Sequence, residues 1–252
     1  MAPKIIFYAT VFLLLFLPMY LSSTCIIIYR SKNTIIIGAD SKERGQFINK
    51  RTGEIISSSI NKICKIHNVG KYYFAISGID DGLLLKNATI ACKYSSLQEI
   101  ANQFAEKMRI EYPPALRLLM RANKTQYLER YVKNKNDWKL GRVAFFGFEN
   151  NYPVVLYVDL DPINKIDTPV DIKYKITALS DIEPIAFLGL TNDIDKLPSN
   201  YDAFSNGIIE GIKLLIETEI KGNDSVHVGG PINLMQLNRN GVQWYGPHEC
   251  SF

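Results

Sequence analysis

Short runs of β-branched and aromatic residues, paired around tight polar turns, constrain this chain more than any other feature. Cys25–Arg30 and Thr34–Gly38 flank Ser31-Lys32-Asn33, and Lys62–His67 and Lys71–Ser77 flank Asn68-Val69-Gly70. Arg142–Phe148 and Val154–Asp159 flank Glu149-Asn150-Asn151, and Ile232–Leu237 and Val242–Tyr245 flank Asn238-Arg239-Asn240-Gly241. Each pair reads as a β-hairpin. Ile172–Leu179 and Ile185–Leu188 carry weaker strand signals, and the polar stretch Ser41–Thr52 reads as a loop.

Helical patterns stand apart from these hairpins. Asp80–Lys93 reads as one helix. Ser96-x-x-Glu99 is a capping box, after which Leu97, Ile100, Ala101, Phe104, Ala105 and Met108 share one helical face. Pro113-Pro114 predicts a break, with a further helix over Ala115–Val132. Ala203–Lys221 places Ile208, Ile209, Ile212, Leu215, Ile216 and Ile220 at helical spacing. Segregated hairpins and helices predict an α+β protein, with antiparallel sheets covered by helices, and argue against a parallel βαβ sheet. The specific expectation is a four-layer α/β/β/α sandwich. No linker, repeat or low-complexity tract divides the chain, and 252 residues can enclose a full core, so residues 24–252 read as one domain.

The segment before Thr24 has a different character. Lys4 is followed by the apolar run IIFYATVFLLLFLPMYL (Ile5–Leu21) and by the small residues Ser22-Ser23. That order predicts a signal peptide over residues 1–23 and a secreted or otherwise extracytoplasmic domain. The competing reading is an uncleaved membrane anchor. The run is slightly short for a span, and Pro18 interrupts it.

Net charge is +4, but acids and bases are interspersed and no basic motif is visible, so nucleic acid is not an expected partner. Cys25, Cys64, Cys92 and Cys250 allow three pairings and also admit buried free thiols. His67, His227 and His248 lack metal-ligand spacing, and no cofactor or metal is expected. The sequons at Asn87, Asn123 and Asn223 match what chance supplies in a chain this rich in Asn.

Cleavage before Thr24 would leave a hydroxyl and a free α-amine on one residue. A hydroxyl needs a base to become a nucleophile, and an α-amine with a pKa of about 8 serves near neutral pH. Thr24 then supplies both. Gly38-Ala39-Asp40-Ser41 follows, with Asp40 sixteen residues beyond Thr24. Next come Lys62-Ile63-Cys64-Lys65-Ile66 and a strand ending in Ser77-Gly78. The hairpin Val143–Asp159 and Gly229-Gly230-Pro231-Ile232-Asn233-Leu234 complete the series. In these residues and their order the chain resembles the proteasome β-subunit and bacterial proteasome-like proteases of the N-terminal-nucleophile (Ntn) hydrolases, from Thr24 nearly to the C-terminus.

The resemblance implies roles. Thr24 Oγ would attack an amide carbonyl, Lys62 would sit beside it, Asp40 would fix Lys62, and the Gly78 N–H would face the oxyanion. It implies a peptide or small amide substrate and is compatible with a homo-oligomer. Two departures stand out. Phe187-Leu188-Gly189-Leu190-Thr191 lacks the Ser of the family's Gly-Ser-Gly, and Ser225-Val226-His227-Val228-Gly229-Gly230 replaces both the Asp and the Ser of Asp-x-x-Ser-Gly-Gly. Asp224 stands one position before the missing acid, and Asp224 and Ser225 could substitute for the missing Asp and Ser. Cleavage before Cys25 would make Cys25 the alternative nucleophile, although alternation along a strand allows only one of Thr24 and Cys25 to face Lys62. The rival functional reading is a catalytically inactive binding or structural module, membrane-anchored if the leader is retained.

Overall fold

The computed structural model describes residues 16–22, 24–49, 55–80, 82–122, 124–133, 140–197, 200–222, 228–246 and 250. The protein is α+β, with two antiparallel sheets and helices packed against them. The first hairpin is β2 (Cys25–Arg30) with β3 (Thr34–Asp40), and its isoleucines are buried on both faces. Sheet B runs β11 (Ile185–Gly189), β2, β3, β12 (Ile232–Asn238), β13 (Gly241–Tyr245).

Among the described residues, sheet A has eight strands. Its path is β10 (Thr168–Ala178), β9 (Tyr152–Lys165), β8 (Gly141–Glu149), β7 (Tyr72–Asp80), β1 (Phe16–Ser22), β4 (Lys42–Asn49) and β5 (Ile55–Lys62). The short β6 (Ile66–Val69) also pairs with β7. All four predicted hairpins form, with longer strands than the sequence suggests for β8–β9. The second is displaced: Lys62 belongs to β5, and the hairpin partner of β7 begins only at Ile66. The stretch Ser41–Thr52, read as a loop, instead carries β4. β4 is paired on both sides, with β1 and with β5, and backbone bonding at both edges replaces the apolar alternation that would have marked it as a strand.

Helices α1 (Leu83–Ala91) and α2 (Leu97–Ala122) pack on β7–β10 of sheet A. Their apolar faces, including Leu84, Ile100, Phe104, Met108 and Tyr112, meet Phe74, Phe145, Val158 and Leu160. α2 runs through Pro113 and Pro114, where the sequence predicts a break. The lost donors belong to bonds with the Arg109 and Ile110 carbonyls, and Ile110 is largely exposed, so water can satisfy that end. Burial of Tyr112, Leu116 and Leu119 holds the helix together across the gap. The capping box is half realised. Ser96 Oγ accepts from the Glu99 N–H, while the Glu99 carboxylate bonds Ser95. The helix expected over Ala115–Val132 becomes the end of α2, the short α3 (Lys124–Leu128) and a π-turn over Glu129–Lys133.

Helix α4 (Ile208–Lys221) covers the outer face of sheet B. Ile212, Leu215 and Ile216 meet Cys25, Ile27, Ile36 and Leu234. Between the sheets, Ile26, Ile28, Ile35 and Ile37 pack with Ala75, Ala144, Phe146 and Met235. β2 thus alternates cleanly, with Cys25 and Ile27 toward the helix and Ile26 and Ile28 toward the other sheet. Among the described residues, no helix is long and apolar enough to cross a membrane.

Candidate functional site

The site forms where β2 begins and β3 ends. Thr24 is fully buried, and its hydroxyl makes no hydrogen bond among the described residues. The peptide group that follows it is pinned at both ends. The Thr24 carbonyl accepts from the Leu190 N–H at 2.8 Å, and the Cys25 N–H donates to Asp40 Oδ1 at 2.9 Å.

Asp40, at the end of β3, is fully buried and accepts four hydrogen bonds. Oδ1 takes the Cys25 N–H and the Lys65 ammonium, each at 2.9 Å, and Oδ2 takes the Lys42 N–H at 3.2 Å and the Gly229 N–H at 3.1 Å. A carboxylate so surrounded can stay charged without water. Lys65 is equally enclosed, its side chain 2% exposed. One carboxylate oxygen therefore joins a buried ammonium to the backbone of the residue next to Thr24.

The lysine paired with Asp40 is thus Lys65, where the sequence reading placed Lys62. Lys62 ends β5, is exposed, and stands opposite Lys42 in the β4–β5 register. The chain then leaves the strand, with the Ile63 N–H donating to the Ser41 carbonyl, and Lys65 enters the site three residues later. The sequence Lys-Ile-Cys-Lys-Ile contains the Lys-Ile signal twice, which left the choice of lysine open to error.

Gly78 lies within β7, opposite Gly141 on one side and Ser22 of β1 on the other. Its φ is +122°, and a Cβ there would stand 2.6 Å from the Gly141 Cα and the Leu140 carbonyl. Only glycine fits. β1 brings the chain before Thr24 along this edge. Tyr20, Leu21 and Ser22 pair with Asp80, Ile79 and Gly78, while Phe16–Leu21 pair with Asn49–Arg44 of β4.

Gly189 meets a similar demand. Its φ is +89°, and a Cβ would fall 1.7 Å from the Thr24 carbonyl oxygen. The late glycines act on Asp40 and its neighbours. Besides its N–H bond to Asp40, Gly229 accepts from the Ser41 and Lys42 N–H groups at 3.2 and 2.9 Å. Val228 is fully buried. Asp224 and Ser225 lie outside the described residues, as do His227, His248, Asn123 and Asn223.

Cys25 points away from this cluster, into the apolar contact with α4. Burial pushes its thiol pKa well up, and Asp40 and Glu219 push it further in the same direction. It is a core residue, not a poised thiolate. Cys64 and Cys250 form a disulfide, tying the segment that carries Lys65 to the C-terminal end, while Cys92 is a buried free thiol. Asn87 is fully buried in α1 and bonded to Glu111, so its sequon is not presented to solvent. Among the described residues, no group of His, Cys, Asp and Glu could hold a metal ion.

Three connections were missed in the sequence: Lys65 on Asp40, Leu190 on Thr24, and Gly229 on Asp40. The positive-φ Gly189 was the one available signal for the second, since a glycine ending a strand often marks close backbone approach. No protein-family model matches the chain, and no curated protein matches it.

Proposed function

We propose that the protein is an N-terminal threonine hydrolase of the proteasome-like Ntn type that cleaves an amide or peptide bond through an acyl-enzyme on Thr24. The observation that carries this reading is the enclosed, unbonded Thr24 hydroxyl at the head of β2, one peptide group from the buried Asp40–Lys65 pair. The four-layer α/β/β/α arrangement belongs to the same proposal. Its support is the order of three apolar contacts: α1 and α2 on sheet A, sheet A on sheet B, and sheet B on α4.

The chemistry follows from the groups present. The Thr24 Oγ–H bond breaks as Oγ attacks the acyl carbon, and the α-amine takes the proton directly or through one water. Lys65 favours the negative oxygen, and Asp40 holds Lys65. The Gly78 N–H is assigned to the tetrahedral oxyanion, where losing a donor costs about 10²–10³ in rate. Collapse expels the amine, protonated by the ammonium, and leaves an ester that water cleaves. The same hydroxyl attacking the Ser23 carbonyl carbon would shift the acyl group from nitrogen to oxygen. That shift breaks the Ser23–Thr24 C–N bond and frees the α-amine, and hydrolysis of the ester then releases the leader and restores the Thr24 hydroxyl.

The course of β1 suggests how substrate lies. Once residues 16–22 leave, β7 and β4 border a gap one strand wide, roughly twice the 4.8 Å strand spacing. An extended peptide added there would be held by main-chain bonds on both sides, the usual logic of strand addition. Secretion and loss of the leader remain part of the proposal, because a free amine on Thr24 requires that cut.

One observation favours the inactive-module reading. Leu190 and Val228 stand where the family pattern places hydroxyls, so fewer groups are available to tune the amine. Mass spectrometry of the protein from its own host separates the readings. A chain starting at Thr24 that reacts there with a β-lactone supports the hydrolase, and a chain that retains residues before Thr24 refutes it.

A further inference from the structure

A second ion pair reaches the same site from the opposite sheet. Arg142 on β8 stands directly across from Asp159 on β9, and its Nε donates to Asp159 Oδ1. Asp159 is almost fully buried, and the guanidinium lies 5.5 Å from the centre of the Tyr157 ring. The other arm of the guanidinium crosses between the sheets, where Nη1 donates to the Phe187 carbonyl of β11 at 2.6 Å.

Among the described residues, β11 is an edge strand whose single strand neighbour is β2. An edge held on one side is free to move unless something bonds the other. Three residues beyond Phe187, Leu190 supplies the N–H on the Thr24 carbonyl, and Gly189 between them packs directly against that oxygen. Any outward shift of β11 therefore moves one of the two restraints on the Thr24–Cys25 peptide. Arg142 also stands opposite Ser77, beside Gly78, so one residue pairs by its backbone with the strand assigned to the oxyanion and bonds by its guanidinium the strand that leads to Leu190.

We propose that Arg142, fixed by Asp159, is a positioning residue for Thr24: it clamps β11 to sheet A and thereby aims the Thr24 hydroxyl. Its kinetic consequence rests on the hydrolase reading, while its geometric consequence does not. The role needs a rigid fork. A planar guanidinium serves the Asp159 carboxylate and the Phe187 carbonyl together from fixed directions, which a single ammonium cannot reproduce.

The molecule contains its own control. Arg30, at the far end of β2, also bridges the sheets, with Nε on the Pro153 carbonyl at 2.8 Å and Nη1 on Asp181 at 2.7 Å. It stands five residues from Cys25, about 16 Å along a strand rising ~3.3 Å per residue. It shares the bridging function but has no link to Leu190.

The test compares Arg142→Gln, Arg142→Lys and Arg30→Gln in the mature chain. Labelling of Thr24 by a β-lactone is resolved into kinact and KI, and hydrogen exchange is followed at the Leu190 amide. Both Arg142 variants are expected to lower kinact by about 10–100-fold with KI little changed, as a small misplacement of a reacting group would. The same two variants are expected to speed Leu190 exchange, and Arg30→Gln is expected to do neither. Wild-type kinact in Arg142→Gln, full rescue by lysine, or an equal loss in Arg30→Gln would overturn the clamp. If the wild-type chain is not labelled at Thr24, the hydrolase reading fails. Exchange at Leu190 then decides the clamp alone: faster in the Arg142 variants supports it, unchanged refutes it.

Discussion

The Lys65 ammonium sits 2.9 Å from Asp40 Oδ1, with both side chains shut away from solvent. Neither charge is tolerable there without the other, and removing one partner of such a pair typically costs about 3–5 kcal/mol. Lys65→Ala is therefore expected to lower the melting temperature strongly and to abolish β-lactone labelling of Thr24. Lys62→Ala, altering an exposed side chain, should leave both unchanged. Equal loss from the two variants would show that the ion pair is structural and that Lys62 also serves the chemistry.

Gly189 offers a sharper steric test. Alanine there must adopt a left-handed backbone and place its Cβ inside the Thr24 carbonyl contact. The strain alone is about 1–3 kcal/mol, and β11 must also move away. The expected result for Gly189→Ala is a folded but less stable protein with Thr24 unreactive. Normal labelling kinetics in this variant would mean that the Leu190–Thr24 bond does not position the nucleophile.

For Cys25 the expectation is inertness. Its thiol faces α4 in an apolar setting that holds it protonated. Iodoacetamide at pH 8 should modify it only after denaturation. Cys25→Ala should cost about 1–2 kcal/mol through lost packing while keeping Thr24 reactive. Rapid alkylation in the native protein would return Cys25 to the list of nucleophiles.

These experiments bear mostly on contacts that the sequence pattern could not supply. Hairpins such as Ile232–Asn238 with Gly241–Tyr245 were legible because β-branched runs and an Asn-Gly turn encode them locally. The helix over Leu97–Ala122 was legible only to Pro113, since its continuation depends on tertiary burial of Tyr112, Leu116 and Leu119. Thr24 and Asp40 could be paired by spacing because one hairpin brings them together within sixteen residues. Lys65, Leu190 and Gly229 reach the same point through separate elements, and no local pattern specifies which of two neighbouring residues will turn inward. The strand at Lys42–Asn49 was invisible for a related reason: its partners, not its own side chains, make it a strand.

The Cys64–Cys250 bond joins positions 186 residues apart, one of them next to Lys65. Closing so long a loop restricts the unfolded chain, a contribution of about 2–5 kcal/mol in such cases. Treatment with a dithiol reductant should lower the melting temperature by several degrees. Cys64→Ser with Cys250→Ser should match the reduced wild type. A melting temperature insensitive to both would show that the cross-link adds nothing to the folded state's advantage.

His67 sets an acid limit. It packs on Phe74 with ring centres 4.9 Å apart, and burial pushes its pKa down to about 4 from the usual 6.5. Between those values the unfolded chain binds a proton that the folded chain refuses. The stabilisation is therefore complete above pH 6.5, fades as pH falls toward 4, and changes no further below that. The full linkage exceeds what a partly solvated ring delivers, so a loss of about 2 kcal/mol across this window is expected. Urea unfolding at pH 7.5, 5.5 and 4.5 measures it. His67→Phe, which keeps the stacking without a titrating group, should flatten that part of the profile. Parallel curves for the two proteins would show that His67 does not set the acid limit.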